Sequence, residues 1–185
     1  MRRAMNYAGQ LLIASPHLAD PNFRQTVVLM VQGDDDGTLG LILNRQSDKR
    51  ISELWEAIFE RGCATDEVLR VGGPVFGPLM ALHTREEFAE LEILPGLYFS
   101  TDKDHLASLI EENLEPFHFF VGNAGWAQKQ LAEEIAQGAW HLIPATLDLV
   151  FGDAGNLWKE TLNIAGNGIL GSILHRTLPE DPSLN

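Results

Sequence analysis

Apolar residues come in short unbroken runs near the start of this chain and in spaced stripes further along. That change of period separates strands from helices. Leu11 to Ala14 lies between Gly9 and Pro16, while Thr26-Val27-Val28-Leu29-Met30-Val31 and Leu39-Gly40-Leu41-Ile42-Leu43 are almost wholly apolar. Such runs predict strands covered on both faces. Gly33-Asp34-Asp35-Asp36-Gly37 joins the last two as a solvated hairpin tip. A calcium loop would need acids where Gln32 and Leu43 stand. Ile51, Leu54, Trp55, Ile58 and Phe59 recur at i, i+3, i+4, i+7 and i+8. They predict an amphipathic helix with its stripe in the core, capped by Ser47 or Asp48 and ended by Gly62.

Val68 to Val71, Gly72-Gly73-Pro74 and Leu79 to Thr84 read as strand, tight turn, strand. Leu91 to Leu94 and Leu97 to Ser100 flank the turn pair Pro95-Gly96 and predict a hairpin. Ser100 or Thr101 then caps a helix through Asn113, with Leu106, Leu109 and Ile110 as its apolar stripe. Phe117 to Val121 predicts an aromatic-rich strand, Gln128 to Gln137 a helix, Trp140 to Ile143 an extended segment and Leu157 to Ile164 a helix. The glycine-rich stretch from about residue 166 to 185 predicts a flexible tail. Strands mixed with helices and joined by hairpins predict an α+β fold, one domain over residues 1–185, rather than a doubly wound sheet.

Composition narrows the function classes. A chain of 185 residues, 45% hydrophobic, buries roughly 70% of its unfolded surface without disulfides or metal. The single cysteine, Cys63, rules out an internal disulfide, and no apolar run has the length of a signal-peptide core or membrane span. A cytoplasmic protein is the expectation. Thirteen Lys+Arg against 26 Asp+Glu leave a net charge of −13, and the closest basic groupings, Arg2-Arg3 and Lys49-Arg50, are only pairs. Nucleic-acid binders cluster bases to neutralise phosphates, so direct binding to DNA or RNA is not expected.

The motifs that suggest chemistry have simpler readings. Gly166-Asn167-Gly168-Ile169-Leu170-Gly171 matches a dinucleotide fingerprint by letter, but it lacks the preceding strand and the later acid. None of His17, His83, His105, His118, His141 and His175 pairs at metal-ligand spacing, so neither metal nor cofactor is expected. Cys63 stands beside Asp66 and Glu67, surroundings that disfavour a thiolate nucleophile. Gly72-Gly73-Pro74 reads either as an anion nest of backbone N–H groups or as a plain turn.

Leu11-Leu12-Ile13-Ala14-Ser15-Pro16, Asp20-Pro21-Asn22-Phe23, Thr26-Val27-Val28, Gly40-Leu41-Ile42-Leu43-Asn44, Gly72-Gly73-Pro74, Leu82-His83-Thr84 and Gly125-Trp126 follow one another in an order and spacing that resembles the bacterial YqgE/AlgH family. The resemblance runs from about Gly9 to Trp158. It implies a single α+β domain with a bifurcated, partly barrel-like β-sheet surrounded by helices. One branch of that family carries the label of transcriptional regulator, and no established catalytic residues come with the resemblance. Family members usually read Gly-Tyr-Ala-Gly-Trp-Gly-Pro-Gly-Gln-Leu-Glu where this chain has Gly122-Asn123-Ala124-Gly125-Trp126-Ala127-Gln128-Lys129-Gln130-Leu131-Ala132.

Polar and glycine residues at the predicted strand ends make the candidate pocket: Ser15, Asp20, Arg24, Asn44, Gly72, Gly73, Pro74, His83, Asn123, Gly125, Trp126 and Gln130. Structural roles compete, with Asp20 and Asn44 satisfying turn amides and Arg24 pairing with Asp20. The leading expectation is a non-enzymatic binding or regulatory module acting through a small ligand or a protein partner. The alternative is a small-molecule enzyme with His83 or His118 as general base.

Overall fold

Val27, Leu29 and Val31 point to one side of their strand and Val28 and Met30 to the other, and all five are buried. A strand apolar on both faces needs cover on both, and that requirement shapes the fold. The computed structural model describes residues 6–34, 37–60, 62–63 and 65–177. The first sheet takes β1 (Gln10–Ala14), β2 (Val27–Asp34) and β3 (Gly37–Ile42), whose hairpin tip at residues 35 and 36 lies outside the described residues. The chain then crosses to a second sheet through β4 (Gln46–Arg50), α1 (Ile51–Phe59), β5 (Val68–Val71), β6 (Met80–His83), β7 (Leu91–Leu94), β8 (Leu97–Ser100), α2 (Lys103–Glu111) and β9 (Phe117–Val121). It returns to the first through β10 (Ala124–Trp126), α3 (Gln128–Ala136) and β11 (Trp140–Pro144), and finishes with α4 (Leu147–Phe151) and α5 (Leu157–Thr177).

The strand orders are β10-β3-β2-β1-β11 and β4-β5-β9-β6-β8-β7. This is an α+β domain, and neither sheet closes into a barrel among the described residues. Between the sheets, Leu11, Leu29 and Leu41 of one meet Met80, Leu82 and Phe120 of the other, with Val150, Leu157 and Ala165 sealing the side. The outer face of the second sheet packs Leu69, Ala81 and Phe119 under Ile51 and Trp55 of α1 and Leu106 and Leu109 of α2. The outer face of the first packs Leu12, Val28 and Ile42 under Trp126, Leu131 and Trp140. Each fully buried Leu, Ile or Phe contributes roughly 1.5–3 kcal/mol.

The sheets fork at a seam of glycines. Gly72 donates its N–H to Val121 O at 2.9 Å and accepts Ile42 N–H at 2.8 Å, so one residue bonds to both sheets. A Cβ on Gly72 would lie 2.3 Å from Gly122 O, and one on Gly73 2.2 Å from the Asn123 backbone. Only glycine permits that approach.

Several local expectations are corrected. β5 and β6 are not joined by a tight turn, because β9 lies between them, parallel to β5 and antiparallel to β6. The aromatic strand, buried on both faces, takes the central place that a hairpin would have closed. Ser47 and Asp48 belong to β4, and α1 starts after Arg50, whose N–H meets the Glu53 carboxylate at 3.4 Å. That helix ends at Glu60, which takes φ 55°, before Gly62 is reached. Asp102 caps α2, accepting from Asp104 and His105 N–H at 2.9 and 3.2 Å, while Ser100 is buried in β8 and Thr101 bonds to Glu90. The helix stops at Glu111, short of Asn113. The expected tail is helical as far as Thr177, and residues 178–185 lie outside the described residues.

A basic hollow as candidate functional site

The residues singled out in the sequence fall into separate places. Ser15 is buried at the end of β1, its N–H on Ala139 O at 2.9 Å. Gly72 and Gly73 lie in the seam, Pro74 is exposed beyond it, and Asn123 exchanges backbone hydrogen bonds of 2.9 Å with Val75. Gly125 is exposed in β10.

His83 is 0% exposed. Its Nδ1 accepts the Arg85 N–H at 3.3 Å, so Nε2 carries the proton and faces Ser100 Oγ at 3.2 Å, which donates in turn to Phe88 O. Burial pulls its pKa down to about 4. His118 accepts from Arg70 Nη2 at 3.1 Å, and burial together with that cation pulls its pKa to about 3. Burial favours the neutral form of both rings.

Trp126 and Gln130 converge on a residue the candidate pocket left out. One carboxylate oxygen of Glu134 accepts Trp126 Nε1 at 3.0 Å and Trp140 Nε1 at 2.8 Å, and the other accepts Gln130 Nε2 at 2.9 Å. The two indoles cross at 87°, and Phe23 packs 5.5 and 5.6 Å from them. The cluster closes the outer face of the first sheet and fixes α3 over it.

Arg24 and Asn44 do share a hollow, of about 310 Å³, whose other walls include Arg45, Gly155, Trp158 and Lys159. Each wall is braced. Gln25 takes φ 56° and Thr26 bonds back to Phe23 O at 2.7 Å, which turns Arg24 outward at the start of β2. Asn44 locks that turn, accepting Val27 N–H and donating to Gln25 O, each at 2.9 Å. Arg45 ties down the preceding loop through Asn22 O at 2.5 Å. Trp158 fastens the first turn of α5 to the sheet, its Nε1 donating to Ala14 O at 2.8 Å. Asp20 bonds to Arg24 through the main chain, its O accepting the Arg24 N–H at 2.8 Å, while its carboxylate accepts Asn22 N–H. The guanidinium of Arg24 and the ammonium of Lys159 are exposed and make no side-chain hydrogen bond or ion pair with another described residue.

The electrostatics run against the rest of the molecule. Three of the thirteen basic residues line this hollow and no carboxylate does, which sets its walls apart from a chain with a net charge of −13. A larger cleft of about 940 Å³ has the opposite sign, with Asp66, Glu67, Glu111 and Glu115 on its walls. Its cation, Arg70, is buried and donates to Leu43 O at 2.6 Å and to His118 at 3.1 Å. Among the described residues no group of three or more His, Cys, Asp or Glu is placed to hold a metal, and no helix is long and apolar enough to cross a membrane. Sequence reading missed Arg45 and Lys159. The available signal was the turn chemistry of Gly152-Asp153-Ala154-Gly155-Asn156, which announces a helix start carrying Lys159 in its first turn.

A family model described as AlgH-like (DUF179) matches residues 11–169. A UPF0301 protein of Chlorobaculum parvum is 36% identical over 185 residues, covering 96% of this chain and 95% of its own. Another, of Chlorobium luteolum, is 37% identical and covers 96% and 94%. The solution structure of the AlgH protein from Pseudomonas aeruginosa superposes with a TM-score of 0.73 at 28% identity, over 98% of this chain and 100% of that one. The crystal structure of a Corynebacterium diphtheriae protein shares the fold, with a TM-score of 0.68 at 24% identity over 87% and 88%.

Proposed function

This chain belongs to the AlgH-like family, and from that premise we propose that it is a non-enzymatic binding module, regulatory in character, that recognises a small ligand by an anionic group held in the Arg24–Arg45–Lys159 hollow. The observation that carries this reading is the make-up of the walls: three cations and amide groups, with no histidine, carboxylate or cysteine among them. Such a lining attracts and orients an anion but has nothing to accept a proton near neutral pH or to attack a carbonyl. The hydroxyl of Thr26 already donates to Phe23 O. A histidine-based enzyme finds no comparable support, since His83 is sealed from solvent and His118 serves Arg70. Direct reading of duplex DNA is not favoured either, because cations gathered round one small hollow do not form a stripe that tracks phosphates.

The test is calorimetric titration of the folded chain with a panel of small mono- and dianions and their neutral analogues. Anions bind and neutral analogues do not; an Arg24→Gln/Lys159→Gln variant, altered only at exposed side chains, loses that binding. Equal binding of neutral analogues, or anion binding untouched by the double substitution, removes the hollow from consideration.

A further inference from the structure

Resting on the anion-binding reading above, we infer that the hollow takes a small soluble phosphomonoester, its phosphoryl group between Arg24, Lys159 and the first turn of α5 and its organic remainder against Trp158. One carboxylate is satisfied by one guanidinium fork, whereas this hollow offers a fork on Arg24, a point charge on Lys159 and the further positive potential of Arg45. Arg45 donates to Asn22 O and Pro21 O and keeps its charge. A tetrahedral dianion with three acceptor oxygens matches that set, and a planar monoanion leaves most of it unused. No carboxylate on the walls opposes the second negative charge.

The backbone adds to the same preference. α5 runs for 21 residues, and Glu160 N–H on Asn156 O at 3.0 Å is its first i→i−4 bond. The amides of Leu157, Trp158 and Lys159 therefore have no intrahelical acceptor and no side-chain cap among the described residues, and two of the three residues, Trp158 and Lys159, line the hollow. Of the two acids at this helix start, Asp153 directs its carboxylate to Gly155 N–H and Asn156 Nδ2, and Glu160 stands in the first turn but not on the walls of the hollow. A helix start of this kind favours a phosphoryl group. Size and shape limit the remainder. A volume of about 310 Å³ is at the small end for small-molecule sites. The Trp158 side chain, pinned through Nε1, is part of the wall and supplies apolar surface for a ring or short carbon skeleton.

The experiment is titration of the full chain, at constant ionic strength, with inorganic phosphate, glycerol 3-phosphate, adenosine monophosphate, adenosine, acetate and succinate, and with vesicles containing phosphatidic acid. Both phosphomonoesters are expected to bind at least about tenfold more tightly than either carboxylate. Arg24→Gln and Lys159→Gln each weaken them by about tenfold, the loss of one charge-assisted hydrogen bond. Lys103→Gln, a control elsewhere on the surface, changes nothing. Carboxylates binding as tightly as phosphomonoesters overturn this inference and leave the anion-binding reading standing. Binding to vesicles alone overturns it in favour of a lipid headgroup. No binding by any anion removes both.

Discussion

His83 and His118 are bases that the folded protein keeps neutral. Their pKa values, about 4 and about 3, lie below the 6.5 of an unfolded chain, so unfolding takes up protons wherever the pH is between the two states' values. The stability tied to this difference is fully present above about pH 6.5 and is lost progressively as pH falls towards 4 and 3. From pH 7 to pH 5 the urea midpoint is expected to fall with a slope approaching about two protons. A His83→Gln/His118→Gln variant, whatever its absolute stability, should show a shallower slope over the same range. An unchanged slope would mean that other groups carry the dependence. The same two residues show why the site was only partly legible at this scale. In sequence a histidine in an apolar strand is equally a base or a buried acceptor, and only the positions of Ser100, Arg85 and Arg70 separate the two. Arg24 and Asn44 were legible as polar residues at strand ends. Lys159 was not, because nothing local ties it to a loop far upstream.

At the scale of elements, the strongly periodic and strongly apolar segments formed where the pattern placed them, and the discrepancies lie where propensity and packing disagree. Gly166 and Gly168 argue locally for irregular chain, yet both stand inside α5. Leu157, Thr161 and Ala165, one turn apart, are buried against the sheets, and that packing offsets a cost of about 1 kcal/mol per helical glycine. A Cβ at Gly166 or Gly168 would meet nothing within 4 Å. Gly166→Ala and Gly168→Ala are therefore each expected to raise unfolding free energy by about 0.5–1 kcal/mol and to increase helical circular dichroism. A loose tail would register neither change. Polar β4 and short β10 carry no alternation to read. They exist because Arg50 and Gln46 pair with β5 and Ala124 to Trp126 pair with β3.

The whole molecule holds a net charge of −13 within one domain. Like charges at this density repel one another, and salt screens them over a Debye length of about 10 Å at 0.1 M. Raising sodium chloride from about 0.01 to about 0.5 M is expected to raise the melting temperature by several degrees. A fall on adding salt would show that attractive pairs outweigh the repulsion. The basic walls of the hollow stand against this charge, whereas the larger cleft carries four carboxylates.

Hydrophobic period, turn residues and charge balance are local quantities. They were enough to determine the α+β class, most strands and helices, the excess of negative charge and the lack of any recognisable catalytic motif. Sheet order is different, because a strand's hydrogen bonds are indifferent to which partner supplies them. β9 came to lie between β5 and β6, and two sheets came to fork at Gly72, through burial and close backbone approach that no window of sequence contains. The hollow is a product of the same step: the loop before β2, the residues after β3 and the start of α5 become neighbours only once the sheets are stacked. Charge that is scattered along the chain becomes local in space, because stacking the sheets brings Arg24, Arg45 and Lys159 to one hollow.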